Sequence, residues 1–120
     1  MSAETILVGV LKSVAGDQVY AGVATGSNIA YPYVTWTPAG GESTNFVDSQ
    51  TVPSKRNGRY QINVWARRLD QAVAMARQVE AALRATLELQ TTVEGEIFAD
   101  YEQDTQLHGT IQDFSFWTDR

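Results

Sequence analysis

The sequence contains no cysteine, one histidine and three prolines. Without cysteine there are no disulfides, thiolate metal sites or cysteine nucleophiles, which fits a reducing compartment. No apolar stretch approaches the roughly 20 residues that a membrane-spanning helix needs, so we expect no membrane partner. The first residues have no basic leader before their hydrophobic run, so we expect no secretory signal.

The charge balance is acidic, with 14 Asp and Glu against 9 Lys and Arg and a net charge of −5. A negative net charge is unfavourable for binding to phosphate backbones, so we predict no specific nucleic-acid binding. At 43% hydrophobic and 19% charged residues, the composition is that of an ordinary globular protein. A chain of 120 residues predicts a single domain over residues 1–120.

The first segment predicts a helix. Ser2 can cap it, Glu4 suits the positive end of the helix dipole, and Gly16 can end it. One face would be apolar, carrying Ile6, Leu7, Val10, Leu11 and Val14. Because several of these residues are β-branched, a strand is the alternative.

Glycines and short polar residues over 16–30 predict a loop, and residues 31–37 predict a strand. Residues 39–57 predict a long, flexible loop that is mobile in the isolated subunit and ordered in an assembly. A basic cluster closes this segment and offers charged contacts to an acidic neighbour; its members are Lys55, Arg56 and Arg59.

From Gly58 the pattern alternates, with Tyr60, Ile62, Val64 and Ala66 on one face and Gln61, Asn63, Trp65 and Arg67 on the other. Residues 70–87 predict an amphipathic helix capped by Asp70. Its apolar stripe would be Leu69, Val73, Ala76, Val79, Leu83 and Leu87. Residues 93–102 and 107–118 predict two more strands joined by a tight turn.

The predicted fold class is α+β, with two helices packed on one face of a four-stranded, mainly antiparallel sheet in the order α-β-β-α-β-β. This is the simplest arrangement that buries both apolar helix faces.

Little in the sequence suggests chemistry. His108 is the only histidine, and no serine lies in a nucleophile elbow, so we predict no enzymatic activity, no metal and no cofactor. Five carboxylates share strand parity and would form a negative stripe rather than a converging cation site; they are Glu94, Glu96, Asp100, Glu102 and Asp104.

The aromatic residues allow two interpretations: a stacking platform for single-stranded nucleic acid, or sheet packing and subunit contact. The acidic charge favours the second. The last strand has large apolar residues on both faces, which predicts a protein partner and makes Trp65 and Trp117 candidate assembly contacts.

The order and spacing of residues 31–36, 59–66, 72–83 and 109–117 resemble the tail-completion (tail-terminator) proteins of long-tailed bacteriophages. The resemblance implies a non-enzymatic structural protein that forms a ring, typically a hexamer. The ring would sit on the last disc of the tail-tube protein, end polymerisation, and present its other face to the neck or head-completion protein.

By this resemblance, the protein would assemble in the host cytoplasm and end in the virion, at the head-proximal end of the tail. DNA would pass through the ring without specific binding, and the five carboxylates would line the bore. Two alternatives stay open: a neck or head-completion protein at the same junction, and a small oligomeric α+β ligand-binding module. The middle of the chain, including residues 90–105, matches the family only in general character.

Overall fold

A computed structural model describes residues 2–26, 29–40 and 55–119, with the backbone alone at 55, 56 and 119. These are the described residues. The predicted flexible loop falls mostly on residues 41–54, which lie outside them. The helices are α1 (Ala3–Ala15), α2 (Leu69–Ala85) and a short 3₁₀ helix (Leu87–Leu89). The strands are β1 (Val19–Ala21), β2 (Tyr33–Pro38), β3 (Lys55–Ala66), β4 (Thr92–Val93), β5 (Phe98–Glu102) and β6 (Leu107–Asp119).

Helix α1 begins and ends as its sequence predicts. The Ser2 hydroxyl accepts a hydrogen bond from the Thr5 amide at 3.2 Å. Gly16 follows the last turn with φ 63°, a left-handed angle that glycine adopts without a Cβ clash, and its amide donates to Lys12 O at 2.8 Å. Leu7 and Leu11 are fully buried on the face that meets the sheet. The strand alternative is therefore wrong.

Among the described residues the sheet has six strands, not the predicted four, in the order β1-β2-β3-β6-β4, with β5 also pairing to β6. Strand β1 runs parallel to β2 and lies inside the predicted loop of residues 16–30. Three residues flanked by glycines are too short for a periodic signal. They form a strand because β2 supplies the partners: the Val34 amide donates to Gln18 O at 2.9 Å and the Gly22 amide to Trp36 O at 2.8 Å.

The predicted strand over 93–102 is also wrong, because it is two strands, β4 and β5, that both pair with β6. Val93 lies opposite Phe114, and Phe98 lies opposite Ile111. The four residues between Val93 and Phe98 therefore lie beside only the two residues of β6 between Ile111 and Phe114. The buried Gln112 side chain holds this connection by donating to Gly95 O at 3.0 Å. Strand β3 begins at Lys55, so the predicted loop ends earlier than residue 57.

Helix α2 differs from its prediction at both ends. Its N-cap is Arg68 rather than Asp70, whose carboxylate instead accepts hydrogen bonds from the Arg68 guanidinium at 2.8 and 3.0 Å. Leu69 and Leu87 are 43% and 82% exposed, so the buried stripe is shorter than predicted. Its centre is confirmed, and the buried residues of the helix are Ala72, Ala76, Val79 and Leu83.

The core lies between the two helices and the even-numbered face of β3 and β6. The predicted alternation of β3 is confirmed, since Ile62, Val64 and Ala66 are almost fully buried. In β6, Phe114 and Phe116 are fully buried on the same side of the sheet. Aromatic rings run across this face, with centroid separations of 6.1 Å for Trp36–Tyr60, 5.4 Å for Tyr60–Phe116 and 6.4 Å for Phe114–Phe116. The result is a two-layer α+β fold, and the mixed sheet corrects the predicted strand count and order.

Candidate interaction surface

The sheet face opposite the helices, called the open face below, is formed by odd-numbered side chains of β2, β3 and β6. Tyr33 lies opposite Trp65, and Trp65 opposite Gly109. Both helices contribute to the core on the other face. In the described parts of the chain, no helix covers the open face.

One end of the open face carries a tyrosine cluster, composed of Tyr20, Tyr31 and Tyr33. The Tyr33 ring lies 5.8 Å from Tyr20, edge-on, and 5.6 Å from Tyr31. The guanidinium of Arg67 lies 4.9 Å from the centre of the Tyr31 ring, a cation–π geometry. Tyrosine and arginine are typical anchors of protein interfaces.

Trp65 lies beside this cluster and is half-buried because Gly109 has no side chain. A Cβ at Gly109 would lie 2.6 Å from the Cε3 and Cζ3 atoms of Trp65, which is closer than atoms can approach. The indole therefore covers the backbone of β6. The glycine that begins the aromatic run of β6 is the reason Trp65 can lie there.

The pKa of Tyr33 is raised above its ordinary value, first because burial disfavours the phenolate. The neighbouring Tyr31, Glu102 and Tyr20 add to this rise. The Tyr33 hydroxyl consequently stays protonated and able to donate a hydrogen bond to a partner over a wider alkaline range.

The other end of the open face carries an ion pair, in which Arg59 Nη2 lies 3.1 Å from Asp113 Oδ2. The other oxygen, Asp113 Oδ1, is buried and has no hydrogen-bond partner. Trp117 lies opposite Asn57, whose side-chain amide donates to Ser115 Oγ at 2.7 Å. Arg59 and Trp117 line the same cavity, of about 450 Å³.

The five candidate assembly contacts are thus not one cluster. Arg59 and Trp117 lie together, whereas Trp65 lies near the opposite end of β3. Lys55 and Arg56 belong to β3 opposite Asp119 and Thr118, and only their backbone is described.

The five predicted carboxylates divide into two groups. Asp100 and Glu102 lie on β5, opposite Gly109 and Leu107, and Asp104 lies in the exposed turn that follows. Glu94 and Glu96 belong to the connection between β4 and β5, and both line a cavity of about 220 Å³. All five are exposed, but the two groups have different surroundings.

The aromatic residues do not form one stacking platform. Trp36 packs against the core, where Phe114 and Phe116 are fully buried, whereas Trp65 and Trp117 lie on the open face. The strand period separates them, because residues of opposite parity point to opposite sides of a sheet.

No catalytic or metal-binding arrangement is found among the described residues. They contain no group of three His, Cys, Asp or Glu side chains that could hold a metal ion. The His108 ring lies 4.9 Å from the Tyr101 ring. No helix in the described ranges is long and apolar enough to cross a membrane.

Sequence reasoning missed Tyr20, Asp113 and Phe98 as members of this surface. Tyr20 falls in the segment predicted as a loop. Asp113 lies diagonally across from Arg59, which only the register of β3 and β6 makes visible. Phe98 is 72% exposed at the sheet edge, although its position in an alternating strand predicts nothing unusual.

Comparison with known proteins gives one family and several solved structures. Residues 4–119 match the family described as tail completion protein gp17. The bacteriophage SPP1 gp17 structure is similar with a TM-score of 0.53 and 18% identity, over 94% of this chain and 86% of that one. A chain from the virion of a native gene transfer agent particle gives a TM-score of 0.50 and 17% identity, over 92% and 85% of the two chains.

A third solved structure gives a TM-score of 0.51 and 14% identity, over 99% and 98% of the two chains. No curated protein matches the chain. At these identities the structures support the fold, whereas the family match spans nearly the whole sequence. The chain belongs to the tail completion protein gp17 family and is a structural protein of a phage tail rather than an enzyme.

Proposed function

We propose that this protein caps the phage tail tube as a closed ring, ends tube polymerisation and provides the surface to which the head attaches. The family match over residues 4–119 carries the proposal. The partners would be further copies of the chain in a hexameric ring, the tail-tube protein and a neck or head-completion protein. Assembly would take place in the host cytoplasm.

The open face supports the ring, because a layer of half-buried aromatic side chains without a covering helix favours contact with another protein. Its two tryptophans, Trp65 and Trp117, lie at opposite ends of the β3–β6 pair. A subunit that uses two different patches of its surface makes a head-to-tail contact, which closes into a ring when the rotation allows.

The negative net charge of the subunit supports a ring with a central bore through which DNA passes without binding. A closed ring repeats the net charge of −5 around its axis, which repels duplex DNA. Asp100, Glu102 and Asp104 are exposed on β5 and the turn after it, and we assign them to the bore. Glu94 and Glu96 lie on the same margin of the sheet but line cavities.

The basic cluster completes the proposal. Lys55 and Arg56 at the start of β3, with Arg59, would contact an acidic neighbour in the assembly. Arg59 already pairs with Asp113, and 43% of its side chain remains exposed. It can therefore reach a neighbour while keeping its internal ion pair.

A neck or head-completion protein at the same junction is the second candidate. The same open face and acidic margin would suit that role. The two roles differ in their effect on the tube, because only the terminator ends its growth.

The test adds purified protein to polymerising tail-tube protein and measures tube length by electron microscopy. The expected result is tubes of limited length with a ring at one end, and a ring or ring-forming monomer in sedimentation analysis. Tubes that grow unchanged in the presence of a saturating amount of this protein would instead support the neck assignment.

A variant separates assembly from folding. We expect Trp117→Ala to weaken ring formation and capping more than it lowers the free energy of unfolding, because the side chain is half-buried on the open face. Leu87→Ala is the matched control, since it truncates an apolar residue that is 82% exposed beside α2. Normal capping by Trp117→Ala would contradict the assignment of this residue to an interface.

A further inference from the structure

The sheet ends in two edge strands, β1 and β5, at the same end of the subunit. Among the described residues, β1 pairs only with β2, and β5 pairs only with β6. All five residues of β5 are exposed, and β1 is exposed at Ala21 and half-buried at Val19 and Tyr20. An edge strand presents backbone amides and carbonyls without a neighbour, which makes it a template for a further strand.

The two edges are in register across the sheet. One row of paired residues crosses five strands; it consists of Val19, Val34, Val64, Thr110 and Ala99. The adjacent row begins at Tyr20 on β1 and ends at Phe98 on β5. The chain runs in opposite directions in β1 and β5. A second copy in the same orientation can therefore place its β1 antiparallel to β5, which is the more stable of the two pairing modes.

The hydrogen bonds of β1 show which of its backbone groups face outward. Gln18 O accepts a hydrogen bond from the Val34 amide at 2.9 Å, and the Gly22 amide donates to Trp36 O at 2.8 Å. Every second residue from Gln18 onward therefore faces β2, because the residues of a strand alternate between its two sides. The amide and the carbonyl of Val19 consequently point out of the sheet edge.

The same alternation identifies the outward groups of β5. The Tyr101 amide donates to Asp100 Oδ1 at 2.8 Å rather than to β6, so Tyr101 faces outward, and so does Ala99 two residues before it. Strand β1 has three residues, and in this register it would reach residues 97–99. The Tyr101 amide lies beyond that reach and is already satisfied within β5. The outward groups of Ala99 are the ones that β1 would meet.

The side chains on the two edges also match. Phe98 lies opposite Ile111 on the open-face side of β5 and is 72% exposed. Tyr20 lies on the same face at the other edge, where its ring packs edge-on against Tyr33. An antiparallel contact that keeps the rows puts Phe98 of one copy opposite Tyr20 of the next. Cross-strand aromatic pairs of this kind stabilise antiparallel sheets.

A second β5 is a poorer partner for β5 than β1 is. Two β5 strands would bring the carboxylates of Asp100 and Glu102 together across the junction, which is unfavourable. They would also form a two-fold dimer, whereas a ring needs a contact between two different patches. Strand β1 has the sequence Val-Tyr-Ala and carries no charge.

We propose that β5 of one subunit pairs antiparallel with β1 of a second copy, with Ala99 opposite Val19 and Phe98 opposite Tyr20. This contact rests on the closed ring proposed above and makes the sheets of its neighbouring subunits continuous. The two edges lie on opposite sides of the subunit, so the contact is head-to-tail. Pairing with a three-residue strand buries far less than the roughly 1,000 Å² of a stable interface, so we expect it to form where the tube holds subunits side by side.

Cysteine cross-linking tests the contact, because the chain has no cysteine of its own. Tyr20→Cys and Phe98→Cys are prepared as single variants, one of them with an affinity tag, then mixed in equal amounts and oxidised with and without tail-tube protein. Opposite residues of a non-hydrogen-bonded antiparallel pair have Cα atoms about 4.5 Å apart, a distance that a disulfide spans. On tubes, we expect the mixed dimer to exceed either homodimer at least about fivefold.

The double variant, with Tyr20→Cys and Phe98→Cys in one chain, should give a ladder of cross-linked oligomers. Within one subunit the two positions are four strand spacings apart, about 19 Å, so each disulfide must join two copies. Leu87→Cys replaces Tyr20→Cys in the control mixture, since Leu87 is 82% exposed and lies outside the sheet. The control should give no excess of mixed dimer.

Ala99→Pro tests the backbone part of the contact. The Ala99 amide faces outward, so proline removes a donor that the pairing of β5 with β6 does not use. Added to Phe98→Cys, it should lower the yield of mixed dimer about tenfold, whereas Ala99→Ser should leave the yield within about twofold. Circular dichroism shows whether each variant is folded, and the cysteine pairs test the contact without the proline.

Three outcomes would overturn the proposal: mixed dimers no more abundant than homodimers, equal cross-linking with Leu87→Cys, or an excess of the Phe98→Cys homodimer, which would make a second β5 the partner. Tubes that are capped by protein that does not cross-link would refute the strand pairing and leave the capping function intact. Cross-linking by protein that does not cap tubes would support the pairing and count against the capping function.

Discussion

Gly109→Ala tests whether the close contact between Trp65 and β6 is built as described. A Cβ at this position would lie 2.6 Å from two atoms of the Trp65 ring, whereas ordinary contacts begin at 3.4 Å. The indole must therefore move away by about 0.8 Å, because β6 is held by β3 on one side and β5 on the other. Overpacking of this kind costs about 1–3 kcal/mol.

A second effect opposes the first, because alanine has less conformational freedom than glycine in the unfolded chain. That effect stabilises the folded protein by about 0.5–1 kcal/mol. The net expectation is a loss of about 1–2 kcal/mol in the free energy of unfolding. In a Trp65→Ala background the clash is absent, so the same substitution should stabilise by about 0.5 kcal/mol.

The assay is urea unfolding followed by far-ultraviolet circular dichroism, at protein concentrations low enough for the result to be independent of concentration. Gly9→Ala is the matched control, because Gly9 is exposed in α1 and its Cβ would meet no atom within 4 Å. It should stabilise by about 1 kcal/mol. A Gly109→Ala cost that is the same with and without Trp65 would refute the contact.

Two further predictions concern the hydroxyl groups of Thr110 and Tyr33. Thr110→Val should raise the free energy of unfolding by about 1 kcal/mol in the same urea assay, because Thr110 Oγ1 is buried without a hydrogen-bond partner, and a loss of stability would show that the hydroxyl has one. The raised pKa of Tyr33 makes a contribution to stability that is fully present below the ordinary tyrosine value of 10.0 and is lost as the pH rises through the pKa of the folded state. Tyr33→Phe should therefore lose less stability than the wild type above pH 10.0, and identical curves for the two proteins would contradict the raised pKa of Tyr33.

Local pattern was enough to place the longer elements. The period of α1 and its two terminal signals, Ser2 and Gly16, depend only on neighbouring residues, and the structure has all three. The alternation of β3 likewise identifies its buried face, because a half-covered sheet repeats every two residues. In β6 both faces carry large apolar residues, so only the pairing with β3 shows which face is buried. The order and spacing of residues 31–36, 59–66, 72–83 and 109–117 also sufficed for the family resemblance, which the match over residues 4–119 confirms.

Tertiary pairing decided the short strands. Strand β1 has three residues, and it exists because β2 supplies hydrogen-bond partners. The division between β4 and β5 depends on Gln112, which is distant in sequence and holds the connection through Gly95 O. Neither contact leaves a periodic signal in the segment it organises.

The candidate interaction surface, like the fold, was predicted only in part from the sequence. The sequence alone identified Arg59, Trp65, Trp117 and the acidic residues by type and parity. Only the register of β3 against β6 placed Asp113 beside Arg59 and separated Trp65 from Trp117. The pairing of β4 with β6 placed Glu94 in the same cavity as Arg59 and Trp117. Residue type and strand period are properties of the local chain, whereas neighbourhood across a sheet is set by pairing between residues more than fifty positions apart.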